Sequence, residues 1–141
     1  MKFGKYLEAR QLELAEYNSH FIDYKALKKL IKQLAIPTLK ASSDMDLHLT
    51  LDDIDEKIIH QRLQENKAAF FFKLERELEK VNGYYLARES DLRIKFNILH
   101  SKYKDYKING KLNSNQATSF KNLYAAFKKF QKDLRNLEQY E

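Results

Sequence analysis

The sequence predicts an all-α protein, and three observations carry that reading. Only three glycines and one proline interrupt 141 residues, so few positions favour turns or forbid helix. Apolar residues recur mostly at steps of three and four, the period of a helix face rather than of a strand. Phe120, Leu123, Phe127, Phe130, Leu134 and Leu137 step 3-4-3-4-3, a heptad seam that predicts a helix packed nearly antiparallel on another.

Taken in order, helix one is predicted from about Lys2 to Tyr17, burying Phe3, Tyr6 with Leu7, Leu14 and Tyr17, and Asn18-Ser19 breaks it. Helix two follows to about Leu34, with Asp23 as its N-cap, and Pro37 ends it. Tyr24, Leu27, Leu30 with Ile31 and Leu34 form its apolar stripe. These two helices make an N-terminal hairpin over residues 1–35. Residues 36–51, which include Ser42-Ser43-Asp44, keep no period and are predicted to be a mobile loop. Thr50-x-x-Asp53 resembles a capping box. From there a long helix is predicted over 52–108, its stripe running through Phe71, Leu74, Leu78, Val81, Tyr85, Leu92, Phe96, Leu99, Tyr103 and Tyr106. Unbroken, such a helix would span on the order of 80 Å at a rise of roughly 1.5 Å per residue, so a bend or break near Gly83 is expected. Asn109-Gly110-Lys111 turns the chain, and the last helix covers 113–140.

One domain is expected at this length, large enough to bury a core without staples. There is no cysteine, which excludes disulfides and thiolate metal sites and fits a reducing compartment. Charged residues interrupt every apolar run well short of the roughly 18 residues of a spanning helix, so no membrane span or signal peptide is expected. The net charge is +6, unevenly spread. Residues 1–35 carry seven basic against four acidic groups, residues 36–56 one against six, and the remainder 18 against 10. Positive charge thus brackets an acidic connector. Such a balance attracts nucleic acid, anionic lipid or a small polyanion, and charge alone does not choose among them.

Catalytic constellations are missing. His20, His48, His60 and His100 lie far apart and lack metal-ligand spacing, and three scattered glycines cannot build a phosphate-cradling loop. The acidic cluster Asp52, Asp53, Asp55 and Glu56 suits the positive end of a helix dipole better than a cation. The chemistry concentrates instead on helix two, where Lys25, Lys28, Lys29 and Lys32 lie within two turns and no carboxylate occurs between Asp23 and Asp44. Lys2 and Lys5 stand at the start of helix one, beside free backbone N–H groups that carry partial positive charge. Lysine suits a ligand with many phosphates at varied angles, and Tyr24 can donate a directional O–H bond. The charge pattern by itself fits a polyanion site and an ordinary solvated face equally. A second basic region holds nine lysines from Lys95 to Lys132, with Asp105 as the one acidic residue before Lys132; Lys121, Lys128, Lys129 and Lys132 more simply solvate the outside of the fold.

The opening Met1-Lys2-Phe3-Gly4, followed by a second arm reading Tyr24-x-x-Leu27-Lys28-Lys29, resembles the SPX domain family of helical sensors in phosphate metabolism. The resemblance implies a helical hairpin packed on two long antiparallel helices. It also implies that Lys2, Tyr24, Lys28 and Lys29 bind an inositol polyphosphate or pyrophosphate as regulatory ligand, with Lys5, Lys25 and Lys32 as weaker contributors. No catalysis, cofactor or metal is implied. The parent would be a regulator of phosphate signalling that inhibits a cyclin–kinase complex in cytoplasm or nucleus; SPX domains of polyphosphate polymerases, phosphate transporters and glycerophosphodiesterases are the other implied hosts. In the family a further lysine-bearing helix follows at about the point where this sequence stops, so the ligand site is expected to be incomplete here. Apolar surface left by that helix is expected to favour a dimer or helix exchange.

Two other classes compete. Nucleic-acid or anionic-membrane binding rests on net charge, and Phe71, Phe96, Tyr103, Phe120, Phe127 and Phe130 argue against base stacking because they fall on the predicted core stripes. A helical scaffold without ligand rests on the heptad seam. An enzyme ranks last.

Overall fold

A computed structural model describes residues 2–41, 52–109 and 116–141, with side chains at 2–35, 56–108 and 117–141. Among these residues the chain forms α1 (Lys2–Glu13), a 3-10 helix (Ala15–His20), α2 (Tyr24–Ala41), α3 (Asp52–Asn109) and α4 (Gln116–Tyr140), with no strand. The all-α class holds. The chain divides into two compact units, Met1–Glu13 with Ser19–Val81, and Leu14–Asn18 with Asn82–Glu141.

In the first unit, α1 and the start of α2 meet through Phe3 and Tyr24, whose rings pack edge to face at 5.1 Å, and through Lys25 and Glu8, paired at 2.8 Å. These contacts set the first turn of α2 against the first two turns of α1. Leu27 is the buried apolar anchor of α2. Tyr24, Leu30 and Leu34 are half-buried as their stripe predicts, whereas Ile31 is exposed.

In the second unit, α3 and α4 pair in opposite order along their lengths. Tyr84 meets Tyr140 at 5.7 Å, Lys95 meets Asp133 at 3.4 Å, Phe96 meets Phe130 at 5.9 Å and Tyr106 meets Phe120 at 6.1 Å. The seam predicted for the last helix therefore packs antiparallel on the long helix. Its centre of gravity lies toward the end of α4, where Leu137 and Tyr140 are buried with Leu92, Leu14 and Tyr17. Tyr17, Tyr84 and Tyr140 form a ring cluster with centroids 5.1 to 5.7 Å apart. The Tyr84 hydroxyl donates to the carbonyl of Glu16, which ties the 3-10 segment to α3.

Four expectations are corrected. Helix one ends at Glu13 rather than Tyr17, because Leu14 and Tyr17 are drawn into the second unit and the chain tightens into a 3-10 turn to deliver them. Phe3 and Tyr6, predicted buried, are exposed. Helix two passes through Pro37 to Ala41, although an interior proline withholds a backbone donor and crowds the preceding turn; the predicted loop over 36–51 thus begins no earlier than residue 42. The long helix is continuous through Gly83: a lone glycine costs a helix about 1 kcal/mol and does not break it. The remaining loop residues, Thr50 of the capping box and the Gly110-Lys111 turn lie outside the described residues.

Candidate anion-binding site

The site is built on the first turn of α2. Asp23 caps it, as its sequence position predicts: its Oδ1 accepts the Ala26 N–H at 3.0 Å, and its carbonyl accepts the N–H of Leu27. Tyr24 follows directly, with its ring against Phe3 and its Cε1 3.4 Å from where a Cβ on Gly4 would stand. Glycine at position 4 thus lets the ring lie close against the first turn of α1. Lys28, one turn after Tyr24, holds its Nζ 6.0 Å from the centre of the same ring. The start of α1, the Tyr24 ring and the Lys28 ammonium therefore share one locus.

The other predicted cations sit around it unevenly. Lys2 and Lys5 are exposed on the first turn of α1, which carries no acidic residue. Lys29 and Lys32 are exposed on α2. Lys25 is exposed and held by Glu8, and its hydrogen bond draws the Glu8 carboxyl below, and lifts the Lys25 ammonium above, their ordinary values. Lys25 thus enters any anion site already shared with a carboxylate. The lysines of the second basic region, Lys121, Lys128, Lys129 and Lys132, are exposed on α4, and Lys128 lies over the Tyr124 ring at 5.1 Å.

One residue at the site was missed from the sequence. Glu77 of α3 is 5% exposed, and its carboxylate accepts the backbone N–H of Asp23 at 2.7 Å while pairing with Lys73 at 2.9 Å and Lys80 at 2.6 Å. Burial alone would raise its pKa. Bonds from Lys80, the Asp23 N–H and Lys73 outweigh that and bring it down to about 2. The signal was legible: a glutamate flanked by lysines four before and three after, between Leu74 and Val81 on the apolar stripe.

Chemically the arrangement offers mobile ammonium groups, one phenol and a helix start. No cluster of three or more potential metal ligands occurs among the described residues, and no described helix is long and apolar enough to cross a membrane.

The SPX domain profile matches residues 1–50, a stretch that contains Lys2, Tyr24, Lys28 and Lys29. Residues 1–50 thus match an SPX domain. The chain is 99% identical over 140 residues to the phosphate system positive regulatory protein PHO81 of Saccharomyces cerevisiae, covering 99% of this chain and 12% of that protein. It is 41% identical over 141 residues to the ankyrin repeat protein nuc-2 of Neurospora crassa, covering 99% of this chain and 13% of that one. A shorter stretch of 94 residues, 60% of this chain, is 33% identical to 7% of the glycerophosphocholine phosphodiesterase GDE1 of Eremothecium gossypii. The chain spans about an eighth of the first two relatives. No solved structure matches it.

Proposed function

We propose that this chain is a non-catalytic sensor module that binds an inositol polyphosphate or pyrophosphate and thereby regulates a partner in phosphate signalling. The observation that supports it most is the shared locus of the α1 start, Tyr24 and Lys28, within the stretch that matches the SPX domain. In this reading Lys2, Tyr24, Lys28 and Lys29 contact the phosphates, with Lys5, Lys25 and Lys32 adding long-range attraction. Lys25 contributes least, because Glu8 holds it. On the similarity to a phosphate system regulator, the partner in this reading is a cyclin–kinase complex inhibited by the parent protein, in cytoplasm or nucleus. The match over 99% of this chain to part of a protein named as a phosphate system regulator supports this host over a phosphodiesterase, whose match is shorter and weaker.

The structure removes one argument against nucleic acid. Phe71, Phe96, Tyr103 and Phe120 are 47% to 63% exposed, so a core position does not withhold them from base stacking. The test therefore includes that competitor. Calorimetric titration with inositol hexakisphosphate should show binding that Tyr24→Phe and Lys28→Ala each weaken, the latter by about 1.5–3 kcal/mol for one lost charge-assisted bond. A scrambled oligonucleotide bound equally well, through a surface indifferent to both substitutions, would replace the sensor with a nonspecific basic face.

A further inference from the structure

The start of α2 is pinned from two sides. On one, the Tyr24 ring rests on Phe3 and the first turn of α1. On the other, the backbone N–H of Asp23 is donated across the unit to the buried carboxylate of Glu77 on α3. An amide just ahead of a helix has no intrahelical acceptor and is normally left to water or to a cap. Here its acceptor comes from a residue 54 positions away in sequence. The next donors are spoken for locally, Tyr24 N–H by the Ile22 carbonyl and Ala26 N–H by Asp23 Oδ1. With these N–H groups occupied, the start of α2 offers a ligand mainly its side chains, and the direction those side chains take depends on how the first turn is held.

We infer that Glu77 is a positioning residue of the anion site: through the Asp23 N–H it fixes the first turn of α2 and so aims Tyr24 and Lys28, without itself touching the ligand. The inference rests on the sensor reading for its consequence and on geometry alone for the clamp. It carries a sign that separates it from plain electrostatics. A carboxylate beside a polyanion site repels the ligand, so a purely Coulombic role predicts tighter binding whenever Glu77 is removed. A positioning role predicts weaker binding when the acceptor is removed and not when only the charge is. Lys73 and Lys80 are both about one-third exposed, so loss of their partner leaves two ammonium groups that water can solvate. Glu77→Gln keeps an amide oxygen for the Asp23 N–H and deletes the charge; Glu77→Ala deletes both.

The experiment has two arms on the intact chain. In the first, amide hydrogen exchange is followed at Asp23. The clamp predicts slow exchange in the wild type, slow exchange in E77Q and fast exchange in E77A. Fast exchange at Asp23 in the wild type overturns the clamp whether or not E77A folds. In the second arm, inositol hexakisphosphate is titrated calorimetrically. Affinity should fall at least about tenfold in E77A, the scale of one lost hydrogen bond to a charged group, and should stay at or above the wild-type value in E77Q. Equal or tighter binding by E77A, or an equal fall in both variants, overturns the positioning role. A wild type that binds no inositol hexakisphosphate overturns the sensor reading and the positioning role with it, while the exchange arm still decides the clamp.

Discussion

At the scale of single residues, two buried groups link the stability of the fold to pH. Glu77 titrates at about 2, below its ordinary 4.5, so the folded state binds fewer protons than the unfolded chain between those values. Its stabilisation is complete above about 4.5 and is lost as pH falls from there through about 2. Urea unfolding should accordingly find E77Q less stable than the wild type near neutral pH, with the difference shrinking as the medium is acidified across that window. A difference that stays constant would mean that Glu77 carries no linked proton. At the alkaline end, burial first, then Tyr84 and Tyr17, push the Tyr140 hydroxyl up to about 12 from 10.0. That stability is present below 10 and lost as pH rises toward 12. Ultraviolet titration should show a late tyrosine step that Tyr140→Phe removes. Tyr140 and Tyr84 were not singled out from the sequence, because nine tyrosines of similar spacing context give no sign of which three will meet. The turn that carries Tyr24 and Lys28 was legible because a capping aspartate and a lysine run mark it.

Elements were legible in kind and less so at their ends. The helices followed from periodicity. The end of α1 did not, because tertiary demand on Leu14 and Tyr17 overrides local helix preference there, and a single-helix reading places both on the face shared with Phe3. Pro37 was read as a helix end and Gly83 as a candidate kink, yet helix runs past each. For Gly83 the consequence is testable. A Cβ there would meet nothing within 4 Å, so Gly83→Ala should raise stability by up to about 1 kcal/mol through helix propensity. Thermal or urea unfolding reads this directly, and a loss of stability would show that α3 needs glycine's freedom at that point. In α4, Leu137 is 4% exposed while Leu134 is 48% exposed. Leu137→Ala should therefore cost about 2–4 kcal/mol and Leu134→Ala much less, although the heptad seam ranks them alike. The seam identifies the contact face; only the packed partner decides which positions are covered.

At the scale of the whole molecule, what composition conveyed was a basic, helical, cysteine-free chain, and what it withheld was where apolar area is used. Phe71, Phe72 and Leu78 are more than half exposed in the first unit, as are Phe120 and Tyr124 in the second, so the predicted continuous core stripe is buried only in parts. Lys2, Lys5, Lys25, Lys29 and Lys32, by contrast, are exposed as the pattern predicts, and they turn the sequence-level charge into a functional claim. A scaffold would not notice a reversed charge at Lys28 and Lys29, whereas a polyanion sensor depends on it. The decisive measurement is a titration of inositol hexakisphosphate into the wild type and into the Lys28→Glu, Lys29→Glu double variant, with helicity checked by circular dichroism. The wild type should bind saturably, more weakly as salt is added, and an equally helical variant should lose that binding. Unchanged affinity in the variant, or no binding by either chain, would contradict the sensor reading.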